Sequence, residues 1–187
     1  MSAGAHIDPS NKKIAMFISI LAVVLAFSET LGKSAQTLAI SQNIEASNHW
    51  AFFQAKTIRM TTLRTAAESA ELGLAQAATP SAKEALQKRI DEWKKTAARY
   101  DTEPETQEGR KELAARAKTA EKNRDRNLAA YHHYELASAA TQIAIVLASA
   151  QVITGVVALM WGSAALGIAA VVFCLIGFFA PLSVHLF

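Results

Sequence analysis

The sequence predicts an all-α membrane protein with three transmembrane helices and a central domain of about three helices, the long ones continuing from the membrane spans. Hydrophobic residues make up 51% of the chain and aromatic residues only 7%, with few glycines and prolines, a composition that favours helices. The hydrophobic residues concentrate between Ile14 and Phe27 and again from Ile143 to Phe187. Between these runs the chain is charged, and its apolar residues recur at helical spacing without a strand pattern.

These changes in composition divide the chain into four parts. We assign a polar tail to 1–13, the first transmembrane helix to 14–33, a central charged helical domain to 34–135 and a transmembrane hairpin to 136–187. In the tail, Asp8 is the expected N-cap and Pro9 the first helical residue. The tail is polar and no small-residue cleavage site follows Phe27, so we expect the first apolar segment to be retained rather than cleaved as a signal peptide.

The first apolar run is short for a membrane span. Ile14 to Phe27 would form about 21 Å of helix, against a hydrocarbon core of about 30 Å. Continuing the helix through Leu31 nearly completes the span and leaves Glu29 at or just inside the interface. Because a carboxylate is costly there, we expect Glu29 to face a partner, a subunit interface or a pore, or to reach the head groups beside Lys33 one turn later.

The C-terminal run is too long for one span. Ile143 to Phe187 contains no Lys, Arg, Asp or Glu and would measure about 67 Å as a straight helix. We therefore predict a hairpin that turns between Leu159 and Ala165, at "MWGS", with Trp161 at an interface. Small residues suit close packing of its arms in lipid, namely Ala140, Ala144, Ala148, Gly162, Gly167 and Gly177.

Two loops are predicted in the central domain, near Thr79 and near Asp101. Thr79 followed by Pro80 is typical of an N-cap and first helical position, and a third helix is expected to begin between Pro104 and Glu108. The helix between the loops has one clear apolar face, formed by Ala82, Leu86, Ile90, Trp93, Ala97 and Tyr100.

The stretch "HWAFFQAKTIR", 49–59, combines aromatic and basic residues on one helix. Its charged strip consists of Glu45, His49, Phe52, Lys56 and Arg59, and the small-residue face beside it consists of Ala51, Ala55 and Ile58. The favoured interpretation is a packing helix that places the small-residue face on the returning helix and the aromatic face on a neighbouring subunit, with Trp50, Phe52 and Phe53 as the candidate packing residues. The alternative is a strip of His49, Lys56 and Arg59 that binds anions or lipid head groups.

Gln142 and Gln151 are polar residues inside the second predicted span. Together with Glu29 they are our candidates for a pore or an interface between helices. A hydrogen bond between helices is the favoured role for the two glutamines, and a conduction path is the alternative.

The residues do not indicate catalysis or metal binding. A zinc site from His49, His132 and His133 with Glu45 and Glu135 is disfavoured, because adjacent histidines point about 100° apart on a helix. Cys174 lies in an apolar span, and no nucleophile motif occurs. We therefore assign no catalytic residue, metal or cofactor and expect a protein that is not an enzyme. The net charge of +3 is spread too evenly to predict nucleic-acid binding.

Three segments carry a resemblance to a known family. They are "NKKIAMFISILAVVLAFSETLGKSAQT", "EASNHWAFFQAKTIR" and "QIAIVLASAQVITG", and their order along the chain resembles the bacterial family called domain of unknown function 4337. The resemblance covers nearly the whole chain. It implies a bacterial membrane protein with a helical middle, and it brings no activity and no catalytic residues.

The sequence therefore favours an oligomeric scaffold or an accessory subunit of a membrane complex. The partners that we expect are the lipid bilayer and either further copies of the chain or another membrane protein. A channel or transporter component with a pore lined by the first helix, or a lipid-binding envelope protein, are the alternatives.

We expect a multi-pass protein of the bacterial inner membrane, and the charges beside its spans indicate the orientation. Lys12 and Lys13 precede the first span, whereas four basic residues flank the spans on the side of the central domain, namely Lys33, Lys122, Arg124 and Arg126. Because basic residues favour the cytoplasmic side, we expect the central domain there.

Overall fold

A computed structural model describes residues 9–184 and contains four helices in this range. They are α1 (Pro9–Leu74), α2 (Pro80–Asp101), α3 (Arg110–Thr154) and α4 (Val157–Phe179). No strand occurs among the described residues, which confirms the all-α prediction. Helices α1, α3 and α4 are each long and apolar enough to cross a membrane, as predicted for three spans.

The ends of the first helices follow local chemistry. Helix α1 is helical from the first described residue, Pro9, and the expected N-cap Asp8 lies outside the described residues, so the predicted helix start stays a prediction. The Thr79 cap is confirmed, because its hydroxyl accepts a hydrogen bond from the amide of Ala82 at 3.3 Å. Helix α3 begins at Arg110, slightly later than expected, since Gln107 has a positive φ of 59° that a helix cannot continue through.

The predicted hairpin turn is wrong. Residues 159–165, including Trp161, lie inside α4, and the chain turns instead at Gly155 and Val156. Gly155 has φ +70° and its amide bonds to the carbonyl of Gln151 at 2.9 Å, which is a left-handed glycine cap. The change of direction is therefore set by glycine at the end of α3, and not by the midpoint of the apolar run.

The chain forms two compact units. We call Met1–Ile40 with Arg124–Phe187 the apolar unit and Ser41–Asn123 the charged unit. In the apolar unit, buried residues recur every seven positions on each helix, which is the spacing of knobs-into-holes packing. They are Ile14, Leu21, Ser28 and Ala35 on α1, Ala130, Ala137 and Ala144 on α3, and Ser163, Ala170 and Gly177 on α4.

The apolar unit packs through small side chains. A Cβ on Gly177 would lie 3.3 Å from the carbonyl oxygen of Ala130 and 3.1 Å from the Cβ of His133, so α3 and α4 approach very closely there. The Ser163 hydroxyl donates a hydrogen bond to the carbonyl of Ala144 at 2.6 Å in the same interface. Small residues and hydroxyl contacts of this kind are typical of helix packing in lipid.

The charged unit has a core of its own. Its buried apolar residues come from all three helical segments and are Ala46, Met60, Ala67, Ile90, Ala97, Leu113, Ala117 and Ala120. The predicted face of α2 is largely confirmed, since Ile90 and Ala97 are buried and Leu86, Trp93 and Tyr100 are half-buried, whereas Ala82 is exposed.

Candidate functional site

The 49–59 stretch packs through a different face from the one predicted. Ala51, Ala55 and Ile58 are exposed, so the expectation that the small-residue face packs on the returning helix is wrong within this chain. Buried residues of α1 in the charged unit instead include Ala46, Met60 and Ala67, at steps of fourteen and seven, and the half-buried Phe53 lies midway between the first two. The packing surface therefore follows the repeat of the core and not the size of the side chains.

The three aromatic residues of this stretch have different environments. The indole Nε1 of Trp50 donates a hydrogen bond to Glu121 Oε1 at 2.8 Å, and its ring meets the Phe53 ring edge-on at 5.4 Å. The Arg110 guanidinium lies 4.9 Å from the centre of the Phe53 ring. Phe52 is 61% exposed and takes no part in this packing. Trp50 and Phe53 thus join α1 to α3 inside the charged unit.

The candidate head-group strip is not one surface. Lys56 lies 3.7 Å from Glu103 and 3.7 Å from Glu108, and its side chain is only 13% exposed. His49 is buried with its Nε2 3.5 Å from Glu45, while Arg59 is exposed. Because Lys56 is neutralised by carboxylates of its own unit and His49 is covered, these residues do not together present positive charge to a membrane.

A further ion pair joins α1 to α2 at the surface of the charged unit. The Lys94 ammonium binds the Glu71 carboxylate, and this hydrogen bond raises the pKa of Lys94 above its ordinary value. Both side chains are exposed, so water screens the pair and its contribution to stability is small.

Glu29 and Gln142 come together in the apolar unit. The Gln142 amide Nε2 donates a hydrogen bond to Glu29 Oε1 at 3.3 Å, although the two residues are 113 positions apart. The favoured expectation, in which Lys33 helps Glu29 to reach the head groups, is not accompanied by an ion pair between these two residues in the described structure. The structure therefore gives Gln142 the interhelical contact that the sequence favoured for it, and gives Glu29 one of its alternatives, a partner on another helix.

Gln151 does not join them. It follows Gln142 by nine residues on the same helix, a rise of about 13 Å, and its side-chain Oε1 is buried without a hydrogen-bond partner in the described part of the chain. Of the three candidates for a pore or interface, only Glu29 and Gln142 form one site.

Glu29 and Gln142 line an open groove between α1 and α3. The groove has a volume of about 460 Å³ and lies wholly within the apolar unit. Its other lining residues that carry polar groups include Lys33, Gln36, Tyr131, Tyr134, Glu135 and Ser138. The Tyr131 hydroxyl donates to Glu135 Oε1 at 3.3 Å. Local sequence patterns gave no sign that these two helices would meet at this register.

The histidines are separated by their environments. His133 is 1% exposed, and its Nε2 donates a hydrogen bond to the carbonyl of Pro181 at 3.2 Å. This bond connects the segment after α4 to α3. His132 lies 3.7 Å from Glu135, and His49 belongs to the charged unit. No group of three or more metal-ligating side chains occurs within residues 9–184. Cys174 lies 3.1 Å from the Ser28 hydroxyl in the apolar core.

Comparison with known proteins gives a family and no activity. The family model described as Domain of unknown function (DUF4337) matches residues 10–180, and the chain belongs to this family. No curated protein and no solved structure matches the chain.

Proposed function

We propose that this member of the DUF4337 family is a membrane scaffold or accessory subunit that associates with a second copy of itself through α1. The observation that carries the proposal is an exposed stripe on α1 in the charged unit. Ile44, Ala51, Ile58, Thr65 and Leu72 follow one another at seven-residue steps and are all exposed, and we call them the α1 outer stripe. The exposed fractions of Ile44, Ile58 and Leu72 are 56%, 67% and 76%.

The positions that alternate with the α1 outer stripe are small or neutral. Asn48, Ala55, Thr62 and Ser69 lie four residues after its successive members, and all four are exposed. Together they give alternating steps of four and three, which is the pattern of a coiled-coil seam. The seam positions themselves contain no charged residue between Ile44 and Leu72, so a second helix meets charge only at the flanks of the seam.

A parallel copy is the occupant that fits this face. In a parallel pair related by a two-fold axis along the seam, the same positions of the two α1 helices meet each other. Asn48 then faces Asn48 of the other copy, and a single asparagine in such a seam favours parallel pairs in register. Gln54 and Arg59 flank the seam and are five residues apart. Flanking side chains with this spacing meet between two parallel copies, and this pair brings no like charges together.

We place this assembly in the bacterial inner membrane with the charged unit in the cytoplasm. The support is the balance of basic residues beside the spans, since Lys33, Lys122, Arg124 and Arg126 outnumber Lys12 and Lys13. Fluorescence from a green fluorescent protein fused to the C-terminus supports this orientation. Alkaline phosphatase activity from the same fusion point contradicts it.

Lysine substitutions on the α1 outer stripe test the self-association. Ile58→Lys and Ala51→Lys each set two positive charges against each other across the seam, and we expect the dissociation constant of the dimer to rise by at least about tenfold, or ~1.4 kcal/mol. Native mass spectrometry of the full chain in detergent, over a range of concentrations, measures the shift from dimer to monomer.

Ala98→Lys is the matched control, because Ala98 is exposed on α2 and lies outside the stripe. It should leave the dimer unchanged. The proposal fails if the wild-type chain is a monomer throughout, or if all three lysine variants weaken the dimer equally.

A further inference from the structure

The groove of the apolar unit lies at the level where both its helices change from apolar to polar sequence. On α1 it begins at Ser28, the first polar residue after the run that ends at Phe27. On α3 it includes Glu135, the last charged residue before the C-terminal apolar segments. In a membrane this boundary falls among the lipid head groups. A ligand of the groove is therefore in contact with the polar layer of the bilayer.

The groove carries both signs of charge. Glu29 accepts a hydrogen bond from Gln142, and Glu135 accepts one from Tyr131, so neutral groups orient both carboxylates. His132 approaches the second oxygen of Glu135 at 3.7 Å. The ammonium of Lys33 forms no ion pair within the described residues. The groove thus offers the Lys33 ammonium and the Glu29 carboxylate on α1, and the Glu135 carboxylate on α3.

We propose that this groove binds a zwitterionic phosphoethanolamine group. Lys33 and the Gln36 amide on α1 receive the phosphate, since an ammonium and an amide N–H both donate to phosphate oxygens. Glu135 on α3 receives the primary ammonium beside the ring of Tyr131, which adds attraction between a cation and an aromatic face. A volume of about 460 Å³ is within the range of small-molecule sites.

The remaining carboxylate sets the selectivity. Glu29 lies at the apolar end of the groove on α1, four residues before Lys33, which places its carboxylate close to the phosphate position. A head group that is only anionic meets this repulsion without gaining an ammonium partner at Glu135. We therefore expect phosphatidylethanolamine to bind more tightly than phosphatidylglycerol. This inference is independent of the proposed dimer, because the α1 outer stripe belongs to the charged unit.

Lipid titration followed by native mass spectrometry tests the site in the full chain. For the wild type we expect phosphatidylethanolamine to be retained at least about fivefold better than phosphatidylglycerol, a difference on the order of one charge contact at the membrane surface. Glu135→Gln should abolish this preference, and Lys33→Gln should weaken the binding of both lipids. Titration with water-soluble glycerophosphoethanolamine separates the two sources of the ligand, since saturable binding of it without lipid binding assigns the site to a soluble metabolite.

Two exposed residues of α2 supply matched controls for charge. Glu84→Gln and Lys88→Gln make the same substitutions outside the groove and should leave lipid retention unchanged. Circular dichroism should show the same helix content in all variants, because the substituted side chains are exposed. Equal retention of the two lipids by the wild type, or an unchanged preference in Glu135→Gln, overturns the proposal. So does the absence of binding by both the lipid and the soluble head group.

Discussion

The apolar unit and the charged unit use the same packing repeat with different side chains. Both bury residues of α1 at seven-residue steps, Ser28 and Ala35 in one and Met60 and Ala67 in the other. In the apolar unit the contacts are made by glycine, alanine and serine, which allow backbones to approach closely. In the charged unit the packing of small residues is supplemented by an aromatic residue, Trp50, and by ion pairs such as that of Lys56.

This difference matches the solvent that each unit is expected to meet. In lipid, burying an apolar side chain between helices gains little over leaving it in the hydrocarbon, so close packing and hydrogen bonds stabilise the contact. In water, large apolar groups are driven together, and charged side chains at the edge of the core remain partly hydrated. The two units should therefore respond differently to the loss of a small residue or of a polar contact.

The largest effect is expected from adding a methyl group in the apolar unit. Gly177→Ala places a Cβ 3.1 Å from His133 and 3.3 Å from the Ala130 carbonyl, so α3 must yield by a few tenths of an ångström at this close contact. We expect a destabilisation of about 1–3 kcal/mol, the usual range for an overpacked core. The thermal unfolding midpoint of the full chain in detergent should fall.

Gly162→Ala is the control, since its Cβ would lie at an ordinary 3.5 Å from a flexible Leu147 side chain. It should be neutral or slightly stabilising, because alanine favours a helix over glycine by up to about 1 kcal/mol. Similar losses in both variants would mean that close approach at Gly177 is not what holds the apolar unit together.

A smaller effect is expected from a polar contact of the charged unit. Trp50→Phe keeps an aromatic ring but removes the 2.8 Å hydrogen bond to Glu121, which should cost about 1 kcal/mol. A double-mutant cycle with Glu121→Ala, read from the same unfolding midpoint, isolates this bond. Trp93→Phe serves for comparison, because Trp93 is also half-buried and stacks under Arg89. A coupling energy near zero would contradict the assigned role of the Trp50 indole.

Much of the fold could be predicted from local chemistry. Thr79 with Pro80 predicts the start of α2 because the cap hydroxyl and the proline act within one turn. The turn at Gly155 was missed because span length was used to place it, although a glycine that follows Thr154 is itself a helix-ending signal.

The candidate sites were less predictable. Ala51, Ala55 and Ile58 were assigned to the wrong side because small residues suit both close packing and an outer seam, and residue size does not distinguish the two. The contact between Glu29 and Gln142 depends on the register of α1 against α3. The two residues are 113 positions apart, so no local sequence pattern predicts this register. Sequence therefore identified both residues as unusual without identifying their partners.

Disulfide trapping on α1 tests the central claim, the parallel dimer, most directly. Cys174 is the single cysteine, so a Cys174→Ser background leaves the introduced thiol alone. Ile58→Cys lies on the α1 outer stripe, where facing Cα atoms of a parallel seam fall within about 7 Å and permit a disulfide. Arg64→Cys is exposed on another face of the same helix. We predict rapid covalent dimerisation of Ile58→Cys in native membranes under mild oxidation and little of Arg64→Cys. Equal trapping at both positions, or trapping only at Arg64→Cys, would contradict the account.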